Sequence, residues 1–109
     1  MSKYEQADRI CPEDLTLTES MLGYDVMLGS HTIGSIEGTP GEIQYLIIKD
    51  HLTGNGAGRS ALQSFVELSR KSGASEVTTN NAVHDAMEHI LKTEGFEQQS
   101  DSSGWVKEI

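Results

Sequence analysis

Gly54, Gly56 and Gly58 alternate with Asn55 and Ala57, between an apolar run and a helical stretch. Glycine lets backbone amides approach a ligand closely and takes positive φ where a turn needs it. A helix that starts at such a loop points its free N–H groups and its positive dipole end back at it. Strand, loop and helix then form an anion cradle suited to a phosphate or pyrophosphate. An ordinary glycine-rich turn is the competing reading, and the three glycines alone leave both open. A P-loop does not fit, because no lysine follows these glycines. A Rossmann turn does not fit either, because the third glycine comes one residue too soon for Gly-x-Gly-x-x-Gly.

Other side chains near this loop can move protons or, in the case of Gln44, orient a water that does. Glu42, Gln44 and Tyr45 precede the loop on the apolar run, and His84, Glu88 and His89 fall on the polar side of the last helix. Imidazole suits acid–base work near neutral pH. Each also has a plain account. Carboxylates are mostly solvated, helix histidines are commonly exposed, and His31 reads as a hairpin surface residue. His84 and His89 stand five apart, off the spacing that places two ligands on one helix face, and no Cys or third His accompanies them. No metal site is expected. Cys11 is the single cysteine, so no intramolecular disulfide forms and a reducing interior fits best.

The elements that must position these groups follow from periodicity. Pro12, Glu13 and Asp14 look like the first turn of a short helix, expected to run through Met21 and Leu22. Tyr24 to Leu28 reads as a strand, Gly29-Ser30 as a tight turn, and His31 to Ile36 as the hairpin partner. Gly38-Thr39-Pro40-Gly41 is a second turn. The near-continuous apolar run Ile43 to Ile48 suits a central strand buried on both faces. Ala61, Leu62, Phe65 and Leu68 form the stripe of the following helix, with Gly73 as its C′ residue. Glu76 to Asn80 reads as a strand. Val83, Ala86, Met87, Ile90 and Leu91 keep the helical period, and Gly95 ends it. Phe96 to Gln99 and Trp105 to Ile109 make a last hairpin.

Composition bounds the function. At 109 residues the chain is one domain, 1–109, with room for a single core. No apolar run approaches the roughly 20 residues of a membrane helix, and the polar start does not read as a signal peptide. Seventeen acidic residues oppose eight basic ones, for a net charge of −9. Nucleic-acid binders carry the opposite balance. An acidic surface suits amine substrates, solubility or a salty habitat. Neither nucleic acid nor membrane is an expected partner, and the cytoplasm is the expected compartment.

The stretch Thr53-Gly54-Asn55-Gly56-Ala57-Gly58, after a central strand and before a helix, resembles the acyl-CoA loop of GNAT-type N-acetyltransferases. That family's pattern is Arg/Gln-x-x-Gly-x-Gly/Ala. The glycines match and the leading Arg/Gln does not. Gly95-Phe96 and the element order extend the resemblance over about residues 23–109, with residues 1–22 as a shortened N-terminal helical segment. The resemblance implies an α/β (α+β) fold, with a mixed, mostly antiparallel sheet split between the central strands and flanked by helices. Acetyl-CoA, or another acyl-CoA, is the implied cofactor. Its pantetheine would pair with the backbone of Ile47, Ile48 and Lys49. Its pyrophosphate would sit on the loop from Thr53 and Gly54 through Asn55, Gly56, Ala57, Gly58 and Arg59 to Ser60. Arg59 and Lys49 would add charge, and a solvated surface role accounts for each of them equally well. Asn80 and Asn81 stand where the family often places an asparagine against the cofactor, and they suit a strand-to-helix turn equally.

The resemblance implies acyl transfer to a small or protein amine. The family's usual glutamate base falls at Gln44, and its usual tyrosine acid falls at Leu91. Glu42, Gln44, Tyr45 and His89 are the remaining candidates for proton handling. The alternative is a GNAT-like binding or structural module without turnover, similar to divergent GNAT-like proteins of bacteriophages, for which a virion location is expected. A homodimer is compatible with either.

Overall fold

The computed structural model describes residues 12–48, 56–79, 85–99 and 104–109. Seven strands form one sheet among them. They are β1 (Leu15–Glu19), β2 (Gly23–Leu28), β3 (His31–Thr39), β4 (Glu42–Ile48), β5 (Glu76–Thr79), β6 (Glu97–Gln98) and β7 (Trp105–Glu108). Their spatial order is β1-β2-β3-β4-β5-β7-β6. Every neighbouring pair is antiparallel except β4 with β5. The parallel pair is joined through helix α1 (Ala57–Lys71), and helix α2 (Asp85–Thr93) follows β5. This is an α+β architecture with a mixed, mostly antiparallel sheet. Among the described residues no helix is long and apolar enough to cross a membrane.

The N-terminal segment departs from the expected helix. Pro12–Asp14 forms a single 3-10 turn, and the chain then enters β1. Leu15-Thr16-Leu17-Thr18 alternates apolar and polar residues, and its threonines are β-branched. That period matches a pleated strand, and pairing with β2 outweighs the Pro-Glu-Asp start signal. Met21 and Leu22 sit in the β1–β2 turn, closed by the Ser20 amide donating to the Gly23 carbonyl at 2.8 Å.

Residues directly opposite each other across a ladder share a face. The rungs Tyr24–Ile36–Leu46 and Val26–Gly34–Ile48 line one face. Helix α1 packs there, with Phe65 edge-on to Tyr24 at 6.0 Å between ring centroids. Val26, Ile36, Leu62, Phe65, Val77 and Leu91 are 0% exposed, and Ile43 is 2% exposed. Helix α2 closes the same core through Leu91, and its end meets Lys107, whose ammonium donates to the Glu94 carbonyl at 2.5 Å. Both helices end in the same device. Gly73 and Gly95 take positive φ, and the residue after each donates back five positions, Ala74 to Ser69 and Phe96 to Leu91.

Strand β4 is not buried on both faces as its apolar run suggests. Tyr45 is 49% and Ile47 51% exposed, on the face away from the helices. A bulge explains why Ile43 still reaches the core. Glu37 faces Tyr45 while the next residue, Gly38, faces Ile43, so Gln44 is the extra residue on β4. Ile43 is thereby returned to the face of Leu46. Gly38 is required at this point, because it adopts φ +139 and a Cβ there would lie 2.2 Å from the Glu42 carbonyl oxygen. Gly38→Ala is expected to cost roughly 2–5 kcal/mol, from backbone strain and overpacking together. Gly29→Ala, at φ +64 with open space around it, is expected to cost only about 1–2 kcal/mol. Denaturant unfolding of the two variants checks the ranking.

Candidate functional site

The bulge sits where β4 and β5 meet. The two strands share the rungs Glu42–Thr78 and Ile43–Thr79, both at the start of β4. No rung between them is formed beyond Ile43 among the described residues. This corner is tied to α1, because the Gly41 amide donates to the Ser69 hydroxyl at 2.9 Å and the Thr78 amide donates to the Gly41 carbonyl at 2.9 Å. Ser69 is 0% exposed, so the corner is fixed from inside the core. From there β4 continues to Ile48, at the far end of which lies the start of α1.

That helix starts at Gly56, with φ 84 and ψ 3 and no side-chain cap. A left-handed N-cap is a position for glycine. The first turn of the helix carries no acidic residue, so no carboxylate of that turn offsets the positive end of the dipole. Ala57 is 0% and Ser60 4% exposed, which roots the turn in the core. Gly58 faces the side chains of Ile90 and Ile48. A Cβ at Gly58 would lie 3.6 Å from the Ile90 methyl and 4.0 Å from Ile48. Both are ordinary van der Waals distances, so an alanine would fit there and packing does not demand glycine.

Arg59 is engaged by α2. Its guanidinium donates to the Thr93 hydroxyl at 2.5 Å and to the Glu94 carboxylate at 2.7 Å. Gln63 donates to the other Glu94 oxygen at 2.8 Å. Both oxygens of Glu94 are thus held by α1, and the arginine expected to face a phosphate serves as a clasp between the helices. The ion pair is partly shielded, with side-chain exposures of 34% for Arg59 and 16% for Glu94.

The proton-handling candidates are divided by the sheet. Glu42 and Tyr45 share the face away from the helices, while Gln44 stands at the bulge between them. His89 is exposed on α2, which lies on the other side of the sheet, so it is not brought to Glu42 or Tyr45. Leu91, at the position of the family's acid, is sealed in the core at 0% exposure. Lys49, Thr53, Gly54, Asn55, Asn80, Asn81 and His84 lie outside the described residues. Among the described residues no three His, Cys, Asp or Glu side chains converge as a metal site would require.

Two features had little signal in the sequence. The bulge at Gln44 is hidden in an apolar run, and only Gly38 opposite marks it. The Arg59–Glu94 pair spans 35 positions, beyond any helical periodicity. The clasp generates a measurable expectation. In a double-mutant cycle, Arg59→Met and Glu94→Gln are expected to show a coupling of about 0.5–1 kcal/mol that shrinks with salt. Arg59→Met is expected to leave acetyl-CoA affinity unchanged, as calorimetry would show.

No protein-family model matches this chain, and no curated protein or solved structure matches it. The functional reading therefore rests on the residues and the geometry set out above.

Proposed function

We propose that this chain is a small GNAT-like protein that binds acyl-CoA and transfers its acyl group to an amine. The observation that carries this reading is the junction of β4 and β5. Among the described residues a parallel pair of two rungs sits beside a bulge, and the helix that follows in the chain starts at Gly56, which makes no side-chain cap. A strand leaving its neighbour after two rungs makes room for an extended ligand along β4. A helix N-terminus without a side-chain cap favours an anion at the end of that strand. The strand order β1-β2-β3-β4-β5-β7-β6 also matches the arrangement that the glycine loop suggests, and it supports reading the junction as the split of that fold.

The residues present fit such a ligand in part. Gly56 keeps the helix start free of a cap, and Ile48, Ile90 and Gly58 form an apolar corner next to it. Arg59 is paired with Glu94 on the neighbouring helix. When bound, acyl-CoA supplies a thioester whose carbonyl carbon accepts the amine. The new C–N bond forms as the C–S bond breaks, and the thiolate takes the electron pair. The amine proton leaves to Glu42, or to a water oriented by Gln44. A thiolate with a thiol pKa of about 8.5 leaves without an acid, so the leucine at position 91 does not prevent turnover.

A second reading has one specific observation in its favour. Leu91 is sealed and Gln44 cannot accept a proton, which suits a module that binds acyl-CoA without turning it over. The same experiment addresses both. Calorimetry with acetyl-CoA is expected to give one site per chain, and thiol release with an amine panel separates the enzyme from the module. Gly56→Asp is expected to keep the fold, because aspartate tolerates positive φ better than most residues. Its carboxylate would stand at the helix start and repel a phosphate, lowering acetyl-CoA affinity about tenfold or more. Unchanged affinity in this variant would remove the helix start from the site.

A further inference from the structure

We propose that the face of the sheet opposite the helices docks a lysine- or arginine-rich protein segment in extended form. The rung pattern places Asp25, Glu37, Glu42, Glu76, Glu97 and Glu108 on this face. The described cations are elsewhere. Arg59, Arg70, Lys71 and Lys92 are on the helices, and Lys107 sits opposite Val77 on the helix side of the sheet. No described helix covers this face. Its centre carries Tyr45 and Ile47, both about half exposed, at 49% and 51%. Glu37 is the direct neighbour of Tyr45, and Asp25 lies one rung beyond Ser35 from Ile47. Glu76 and Glu108 are directly opposite each other, an arrangement that destabilises a sheet unless a cation lies against it.

This layout selects among possible occupants. A second copy seated face to face would bring two all-acidic surfaces together, and like charges oppose such a pair. A cationic partner matches the charge, and it finds two apolar anchors at the centre of the patch. The span selects a segment over a small amine. From Asp25 on β2 to Glu97 on β6 the carboxylates cross five strand spacings, or about 24 Å at ~4.8 Å each. Seven or so extended residues cover that distance, at roughly 3.3 Å apiece. The docking stands without the acyl-transfer reading. Joined to it, which is where it rests on that reading, it names a protein lysine as the acceptor, because Glu42 belongs to the same face at the β4–β5 junction.

The test is fluorescence anisotropy of a labelled ten-residue peptide of alternating lysine and leucine, with acetyl-CoA left out. The peptide is expected to bind at low salt and to weaken as salt screens the contacts. A glutamate–leucine peptide of the same length is expected not to bind. Asp25→Asn with Glu37→Gln is expected to weaken binding about tenfold, and Tyr45→Ala about tenfold. Arg70→Gln with Lys71→Gln, on the helix side, is expected to leave it unchanged. No binding by the lysine–leucine peptide would overturn the proposal. So would wild-type affinity in both face variants, or competition by spermidine as strong as that of the unlabelled peptide. Because acetyl-CoA is absent, none of these failures bears on acetyl-CoA binding, which calorimetry reads separately.

Discussion

The arrangement depends on how β4 is held. On one side it follows β3 along its whole length, with one residue added at the bulge. On the other, two rungs with β5 are formed among the described residues. A strand with a full ladder on both sides has no backbone to offer a ligand. A strand with a full ladder on one side only would be an edge, open to pairing with other chains. The bulge settles this conflict. It returns Ile43 to the core, where it anchors the two rungs, and it leaves Tyr45 and Ile47 on the far face. Ser69 and Gly41 then lock the corner to α1.

The helices act on this strand from one side. Helix α1 brings Phe65 and Leu62 against the sheet, and α2 adds Leu91 and, just past its end, Phe96. Burying side chains of this size contributes roughly 1.5–3 kcal/mol each. The Arg59–Glu94 clasp ties the two helices together near the helix start. The charges follow the same division. Among the described residues the lysines and arginines lie on the helices or the helix side of the sheet, with Glu67 and Glu94 beside them, while the bare face carries carboxylates and no lysine or arginine.

Much of this was legible in the residues. The period of Ala61, Leu62, Phe65 and Leu68 marks α1, and Gly73 stands at its C′ position as expected. The hairpin β2–β3 and the pairing of β6 with β7 also follow from turn residues and alternation. The segment from Pro12 misled, because a Pro-Glu-Asp start signal is local while β1 is decided by its pairing with β2. The apolar run of β4 suggested burial on both faces, because a bulge changes which residues face inward without changing composition. The pairing of Arg59 with Glu94 was not legible, because the two residues are distant in the chain. At Gly58 a Cβ would meet Ile90 and Ile48 at ordinary van der Waals distance, so packing does not account for the glycine there. The positions that sequence reasoning misplaced are those whose neighbours come from another element.

The central claim is that an acyl-CoA lies along β4 and ends on the start of α1. Amide chemical shifts of the labelled protein, followed during titration with acetyl-CoA, address it most directly. The account predicts that the largest changes fall on Ile47, Ile48, Gly56, Ala57 and Gly58, with the amides of β1 and β6 unmoved. Changes confined to the edge strands, or no saturable change at all, would contradict it.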